Sequence, residues 1–97
     1  MRRAERLTLS FPNPSRSYDE SRRRVGFVGH DGLAQIRFFL PVAILAKDLS
    51  ARTPTEKDYL SAFDGMRKRI FEIARKAYES RRRDMIELDP RSFGLAV

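Results

Sequence analysis

The sequence predicts an α+β fold, in which a small antiparallel sheet of about four strands packs against one long and one short helix. Apolar and polar residues alternate in several runs of the first forty residues, as in strands with one buried face. Apolar residues then recur every three or four positions from 53 to about 82, as on a long helix. A short strand-like run, MIEL, follows at 85–88. The predicted order is β-β-β-α-α-β in a single domain over residues 1–97, with loosely ordered tails at 1–5 and 95–97.

Three strands are expected before the first helix. RLTLSF at 6–11 alternates apolar with polar residues. The next segment, PNPSRSYDESRRR, is interpreted as a loop because proline cannot donate to a strand ladder. VGFVG at 25–29 and LAQIRFFL at 33–40 then read as two strands joined by a short glycine-rich connection. This pair is predicted to form a hairpin.

The connection within this hairpin contains the only histidine, His30, beside Asp31. Asp-Gly at 31–32 is a strong signal for a type I′ turn, whose two central residues need positive φ. Neighbouring residues of an extended chain point to opposite faces, so the two side chains would not readily form an acid–base dyad. The glycine spacing also fails as a dinucleotide-binding fingerprint, because no helix follows directly. We therefore interpret His30 and Asp31 as turn residues.

Two helices are predicted after the hairpin. PVAILAKDL at 41–49 has proline at the first helical position and apolar residues at helical spacing. The long helix is expected to begin at TPTE, with Thr53 as N-cap, Pro54 at N1 and Glu56 at N3 of a capping box. After the final strand, DPRSF at 89–93 is expected to form one helical turn held by its phenylalanine.

The long helix carries an apolar stripe opposite a charged face. The stripe consists of Tyr59, Phe63, Met66, Ile70, Ile73 and Ala77, flanked by Leu60, Phe71, Ala74 and Tyr78. The charged face offers i,i+4 pairs that account for most of its charge without a ligand: Asp64–Lys68, Lys68–Glu72, Glu72–Lys76 and Arg75–Glu79. The stripe is longer than a four-stranded sheet easily covers, which suggests a homodimer through the long helix.

The 97 residues carry a net charge of +7 that is concentrated in two places. Residues 1–24 contain seven basic and three acidic residues, and residues 53–83 contain nine and five. Such an excess could bind nucleic acid or another polyanion. The candidate residues are Arg22, Arg23, Arg24, Arg81, Arg82 and Arg83. The alternative is compositional, because sixteen of the twenty basic residues are arginine, a bias that genome base composition alone can produce.

Catalysis is not favoured by the titratable residues. The candidates are Tyr18, Asp19, His30 and Asp31, with Tyr78 on the long helix, and Asp19 could meet His30 across the sheet. Tyr18 and Asp19 are more simply explained as a turn pair. With one histidine and no cysteine, a metal site would need carboxylates alone, so no metal or cofactor is expected.

The composition also indicates a cellular setting. The lack of cysteine fits a reducing cytoplasm. The longest apolar run, FFLPVAILA, is interrupted by Pro41 and is too short to cross a membrane. The basic start MRRAER has no hydrophobic segment behind it, so it is not interpreted as a secretory signal.

An ordered set of short motifs resembles a known family. These motifs are F-P after the first strand, Y-D before the basic segment, G-H-D-G at the hairpin, A-F-D-x-x-R-x-R-I in the long helix and the closing L-D-x-x-x-F. They extend from about Leu7 to Gly94, and in this order they resemble domain of unknown function 1488, a small bacterial family. The resemblance implies a stand-alone α+β domain of a bacterial cytoplasmic protein, and it implies no activity or catalytic residue.

The function predicted from these observations is a small, non-catalytic binding or regulatory module that acts through a surface. It could be homodimeric. Binding of nucleic acid or another polyanion through the arginine clusters is the alternative, and an enzyme is the least favoured reading.

Overall fold

A computed structural model describes residues 9–47, 49 and 53–94 of the chain. The predicted tails and the start of the predicted first strand lie outside the described residues. Within this part the strands are β1 (Leu9–Ser10), β2 (Arg16–Asp19), β3 (Arg24–Asp31), β4 (Ala34–Pro41) and β5 (Met85–Glu87). The helices are α1 (Val42–Ala46), α2 (Glu56–Gly65), α3 (Arg67–Arg81) and a short 3₁₀ helix (Pro90–Phe93).

The strands form one mixed sheet, which confirms the α+β class. Its order is β1-β3-β4-β5, and β2 pairs with β3 beside β1. The pairs that involve β3 are antiparallel, whereas β5 runs parallel to β4. Two details of the prediction are therefore wrong. The segment interpreted as a loop contains β2, because its prolines precede the strand, and the sheet is not antiparallel throughout, because the helices carry the chain back to the start of β5.

The predicted hairpin is formed by β3 and β4, but its turn differs from the expected one. Asp31 pairs with Ala34, so the two central residues are Gly32 and Leu33. Gly32 has a φ of 62° and Leu33 is not among the residues with positive φ. A glycine with positive φ at the first central position is typical of a type II′ turn, so the type I′ assignment is wrong. Asp31 is the last residue of β3 and not a central turn residue.

The predicted long helix is divided at Met66 into α2 and α3. Met66 has φ −108° and ψ 9°, and its N–H donates to backbone oxygens of the preceding turn, among them that of Ala62. The capping box also lies two residues later than expected. Thr55 accepts a hydrogen bond from the Asp58 N–H at 3.3 Å, and the Asp58 carboxylate accepts one from the Thr55 N–H at 2.8 Å. Asp58 thus takes the role that the sequence suggested for Glu56.

The division at Met66 changes which residues of the stripe are buried. Tyr59, Phe63 and Ile70 are buried as predicted, but Ala74 and Tyr78 take the inward positions of the last turns, and Ile73 and Ala77 are only partly covered. The sheet supplies the opposing residues of the core, Val25, Phe27, Ile36, Phe38 and Leu40. Most of the stripe is therefore covered within one chain. The homodimer stays a prediction, although the part of the stripe left uncovered, the margin formed by Ile73 and Ala77, is narrower than the prediction assumed.

Aromatic rings connect the helices to the sheet. Phe11 stacks on Phe71 with 4.0 Å between the ring centroids and 7° between the planes. Phe27 lies between Phe38, at 5.3 Å, and Phe63, whose edge meets it at 5.2 Å. Rings packed in these geometries add about 0.5–1.5 kcal/mol per pair beyond the apolar area that they bury. The cluster therefore fixes the position of α2 and α3 on β3 and β4.

The predicted i,i+4 ion pairs are not formed among the described residues. Asp64 instead contacts Arg16 of β2 at 2.8 Å and Arg67 of α3 at 2.6 Å. Hydrogen bonds from Arg16, and then from Arg67, lower the pKa of Asp64 below its ordinary value. The carboxylate thus joins β2 to the junction of the two helices, which the spacing rule could not show because Arg16 is remote in sequence.

Candidate binding surface

The two arginine clusters lie at opposite ends of the sheet. Arg24 opposes Pro41 at one end of the β3–β4 pair. Arg81, Arg82 and Arg83 end and follow α3, whose Tyr78 contacts Asp31 at the other end of β3. The clusters therefore do not form one continuous patch.

The first cluster is also partly neutralised within the chain. The Arg24 guanidinium lies 3.7 Å from the centroid of the Phe39 ring, 3.3 Å from a Glu87 carboxylate oxygen and 3.7 Å from an oxygen of Asp19. Arg22 lies 3.7 Å from the same Asp19 oxygen. These contacts leave Arg24 poorly placed to bind phosphate.

Asp19 and His30 do not meet. Asp19 pairs with Arg24 at the start of β3, whereas His30 opposes Ser10 and Gln35 near its end. Asp19 accepts hydrogen bonds from the Ser21 hydroxyl at 2.9 Å and from the Arg22 N–H at 3.2 Å, which lower its pKa. The suggestion that these two residues could form a site across the sheet is therefore wrong.

Tyr18 lies in β2, and its side chain takes part in packing. Its ring stacks against that of Tyr59 in α2, with 5.5 Å between the centroids. The contact links β2 to the helical layer, near the Asp64 ion pairs.

Asp31 and Tyr78 are in contact, although nothing in the sequence suggests that they pair. The Tyr78 hydroxyl donates to an Asp31 carboxylate oxygen at 2.6 Å. This hydrogen bond, and then burial, raises the pKa of Tyr78 above its ordinary value. The Arg82 guanidinium lies 5.2 Å from the centroid of the tyrosine ring. The two residues are 47 positions apart, so no local spacing could have revealed this joint between the hairpin and the end of α3.

Tyr78→Phe is expected to lower the free energy of unfolding by about 1–2 kcal/mol, because it removes a hydrogen bond to a charged acceptor. Since the folded-state pKa of Tyr78 is raised, this stabilisation is complete below the ordinary tyrosine pKa of 10.0 and is lost as the pH rises through the folded value. Urea titrations at neutral and alkaline pH measure both effects. Tyr59→Phe is the matched control, since the Tyr59 side chain is equally buried and its hydroxyl has no hydrogen bond within the described residues. Equal losses in the two variants would contradict the role given to the Asp31 contact.

A groove runs between α3 and the segment from β5 to the 3₁₀ helix, and it encloses about 480 Å³. We call it the α3–β5 groove. Ile73, Ala77 and Leu88 supply its apolar lining, and charged side chains surround them. Its charged residues are Arg69, Glu72, Lys76, Arg81, Glu87 and Asp89. The partly covered margin of the helical stripe therefore forms one wall of a groove.

The charges of this groove are unequally compensated within the chain. Glu87 is paired with Arg24 at 3.3 Å, and Asp89 with Arg91 at 2.9 Å, a contact that lowers the pKa of Asp89. Three basic residues and one acidic residue of the groove have no ion-pair partner among the described residues: Arg69, Lys76, Arg81 and Glu72. Arg69 contacts the Phe93 ring, with 5.9 Å to its centroid. Arg81 also acts on Asp89 electrostatically and helps to lower its pKa. The charge of the groove that forms no ion pair among the described residues is thus positive, with Arg69 and Lys76 as its cations farthest from compensation.

Neither a metal-binding cluster nor a membrane-spanning helix is formed by residues 9–47, 49 and 53–94. In these ranges no three or more histidine, cysteine, aspartate or glutamate side chains are grouped so that they could hold a metal ion. The helices there are all too short or too polar to span a membrane.

Sequence reasoning missed the α3–β5 groove because its two walls are far apart in the chain. The sequence offered one signal. The predicted stripe placed Ile73 and Ala77 on the inner face of the helix, but a small rotation of the helix about its axis would place their neighbours Ala74 and Tyr78 there instead. A break near Gly65 would have suggested this rotation, since glycine is a poor residue for a helix interior.

Comparison with protein families identifies a family to which most of the chain matches. The family described as "Protein of unknown function (DUF1488)" matches residues 9–88, which include every strand and α-helix described above. Comparisons with curated proteins and with solved structures give no match.

Proposed function

The chain belongs to the DUF1488 family of proteins of unknown function, and on that premise we propose that it is a non-catalytic binding module that acts through the α3–β5 groove. The cysteine-free sequence supports a cytoplasmic setting. A regulatory role would follow if the occupant of the groove were another protein.

The observation that carries this proposal is the groove itself. It combines apolar side chains with charged groups that form no ion pair with the residues the structure describes, as surfaces that recognise partners do. The tyrosine and carboxylate candidates, by contrast, have structural contacts. Tyr18 stacks on Tyr59, Asp19 accepts hydrogen bonds in a turn, and Tyr78 links α3 to Asp31. These contacts favour a binding surface over an active site.

Binding of nucleic acid or another polyanion is the second candidate. Residues 67–83 contain eight basic and two acidic residues, a denser positive charge than that of the chain as a whole. Such a helix could contact phosphate groups, and its binding would then weaken steeply as salt is added. The separation of the two arginine clusters favours this candidate less, because they cannot contribute to one continuous phosphate-binding surface.

In-cell photo-crosslinking tests the proposed function. A photoreactive phenylalanine analogue placed at Lys76, in the groove, is expected to give discrete protein adducts on irradiation. The matched control carries the analogue at Gln35, an exposed residue of β4 outside the groove. Mass spectrometry of the adducts distinguishes a second copy of the chain from another protein. Either result supports the binding module, whereas no adduct at Lys76, or the same adducts at both positions, contradicts it.

A further inference from the structure

Within residues 9–47, 49 and 53–94, no strand pairs with the outer edge of β5. The Arg37 N–H donates to the Asp84 carbonyl at 2.8 Å, and the Leu88 N–H donates to the Phe39 carbonyl at 2.8 Å. Along a strand, the backbone N–H and C=O groups of successive residues point alternately toward one neighbouring strand and toward the other side. The groups of Met85 and Glu87 therefore point away from β4. Since β5 is the last strand of the sheet order, these groups form an edge that can pair with another extended chain.

The outer edge of β5 and the α3–β5 groove are parts of one surface. Glu87 belongs to both, and Leu88 lines the groove directly after the strand. Met85, at the other end of β5, is 49% exposed, which is unusual for a large apolar side chain in this protein. A chain laid along β5 would therefore present alternate side chains to the apolar and charged walls of the groove.

The positive charges of the groove suit an acidic occupant. Arg69, Lys76 and Arg81 are not ion-paired within the described residues, and Arg69 and Arg81 are twelve residues apart on α3, or about 18 Å. An extended chain covers this distance with about five or six residues, so acidic side chains at both ends of such a segment could meet both arginines.

We propose that the β5 edge and the α3–β5 groove bind an extended acidic peptide segment of another protein, which adds to the sheet as a strand beside β5. This inference rests on the proposed function and names the class of partner. A peptide is favoured over nucleic acid because the edge offers both N–H donors and C=O acceptors, which a peptide backbone matches and a row of phosphates does not. It is favoured over a second copy because two such edges would bring together like-charged segments, each with eight basic and two acidic residues over 67–83.

Amide chemical-shift mapping on the full-length, isotope-labelled protein tests this inference. The probe is a blocked octapeptide in which glutamate alternates with valine or threonine, and the control peptide has lysine in place of glutamate. We expect the glutamate peptide to shift the amide signals of Met85, Glu87 and the α3 residues from Arg69 to Arg81. The lysine peptide should leave these signals unchanged. A glutamate peptide that shifts no signal, or shifts signals outside this surface, overturns the inference.

Two variants of Met85 test strand addition itself. Met85→Pro removes one outward N–H without removing a hydrogen bond to β4, and we expect it to raise the dissociation constant of the glutamate peptide about fivefold. Met85→Ala keeps the N–H and should bind within about twofold of the natural protein, since one net hydrogen bond is retained. Retained dispersion of the amide spectrum shows that each variant is folded. If Met85→Pro is folded and binds as tightly as Met85→Ala, strand addition is wrong.

A short thymidine oligonucleotide with four phosphates tests whether the surface recognises negative charge alone or requires a peptide backbone. If the oligonucleotide shifts the same amide signals and binds with the same affinity as the glutamate peptide, the surface binds phosphate charge and the peptide assignment is overturned. If the protein doubles its mass in sedimentation without any probe and Met85→Pro abolishes the doubling, a second copy occupies the edge instead. If the peptide does not bind but Lys76 still gives specific adducts in cells, the inference fails while the proposed function stands.

Discussion

Phe63→Ala is expected to lower the free energy of unfolding by about 3–5 kcal/mol, because it leaves a cavity where the helices meet the sheet. Phe63 is fully buried in the last turn of α2, and its edge lies against Phe27 at 5.2 Å between centroids. Since a domain of this size has only about 5–15 kcal/mol of stability in total, the variant should be close to unfolding at 37 °C. Urea denaturation followed by circular dichroism measures the loss.

Phe39→Ala provides the matched control for this prediction. The residue type and the removed volume are the same, but Phe39 lies on the opposite face of the sheet, half-buried beneath Arg24. We expect a loss of about 1 kcal/mol or slightly more, since less apolar area is buried there. A similar loss in both variants would mean that the helical layer does not form the principal core, which would also remove the support for the α3–β5 groove.

The elements that sequence reasoning predicted well are those whose pattern is local. The hairpin of β3 and β4 follows from alternation around a glycine turn, and the burial of Tyr59, Phe63 and Ile70 follows from helical spacing. The turn at 90–93 was also predicted correctly, because Asp89 accepts a hydrogen bond from the Arg91 N–H and Phe93 is buried.

The elements that sequence reasoning missed depend on contacts between distant parts of the chain. β2 is short and polar, and it is held by its pairing with β3 and by the bonds from Arg16 to Asp64. Intrinsic strand propensity is a weak guide for such a segment, because cross-strand neighbours decide its conformation. The parallel direction of β5 likewise depends on where α3 ends relative to β4.

For the candidate site, the sequence predicted which residues are available but not how they are paired. The sequence identified the basic helix and the charge excess, and it identified Tyr78 and Asp31 as separate candidates. It could not show that Glu87 and Asp89 form ion pairs with Arg24 and Arg91, whereas Lys76 forms none with the described residues. This difference decides the sign of the charge in the groove, and it depends on ion pairs formed after folding.

Gly29→Ala is expected to destabilise the protein by about 1–3 kcal/mol, because the site has no space for a methyl group. A Cβ at this position would lie 2.9 Å from a ring carbon of Phe11, 3.1 Å from a methyl carbon of Leu9 and 3.2 Å from a ring carbon of Phe38. The Phe11 ring cannot easily move aside, since it stacks on Phe71 at 4.0 Å. Urea denaturation measures the change.

Gly26→Ala, three residues earlier in β3, is the control that separates packing from the loss of a glycine. Its Cβ would meet the Phe39 ring at 3.5 Å, an ordinary contact on the other face of the sheet. Alanine is favoured over glycine within a strand by about 0.5–1 kcal/mol, so this variant should be neutral or slightly more stable. The opposite signs expected in one strand come from its two faces: Leu9, Phe11 and Phe38 crowd Gly29 on one face, whereas Gly26 meets the Phe39 ring at an ordinary distance on the other. Equal destabilisation by both variants would mean that Phe11 and Leu9 do not cover Gly29, which would contradict the packing of these two side chains on the helical face of the sheet.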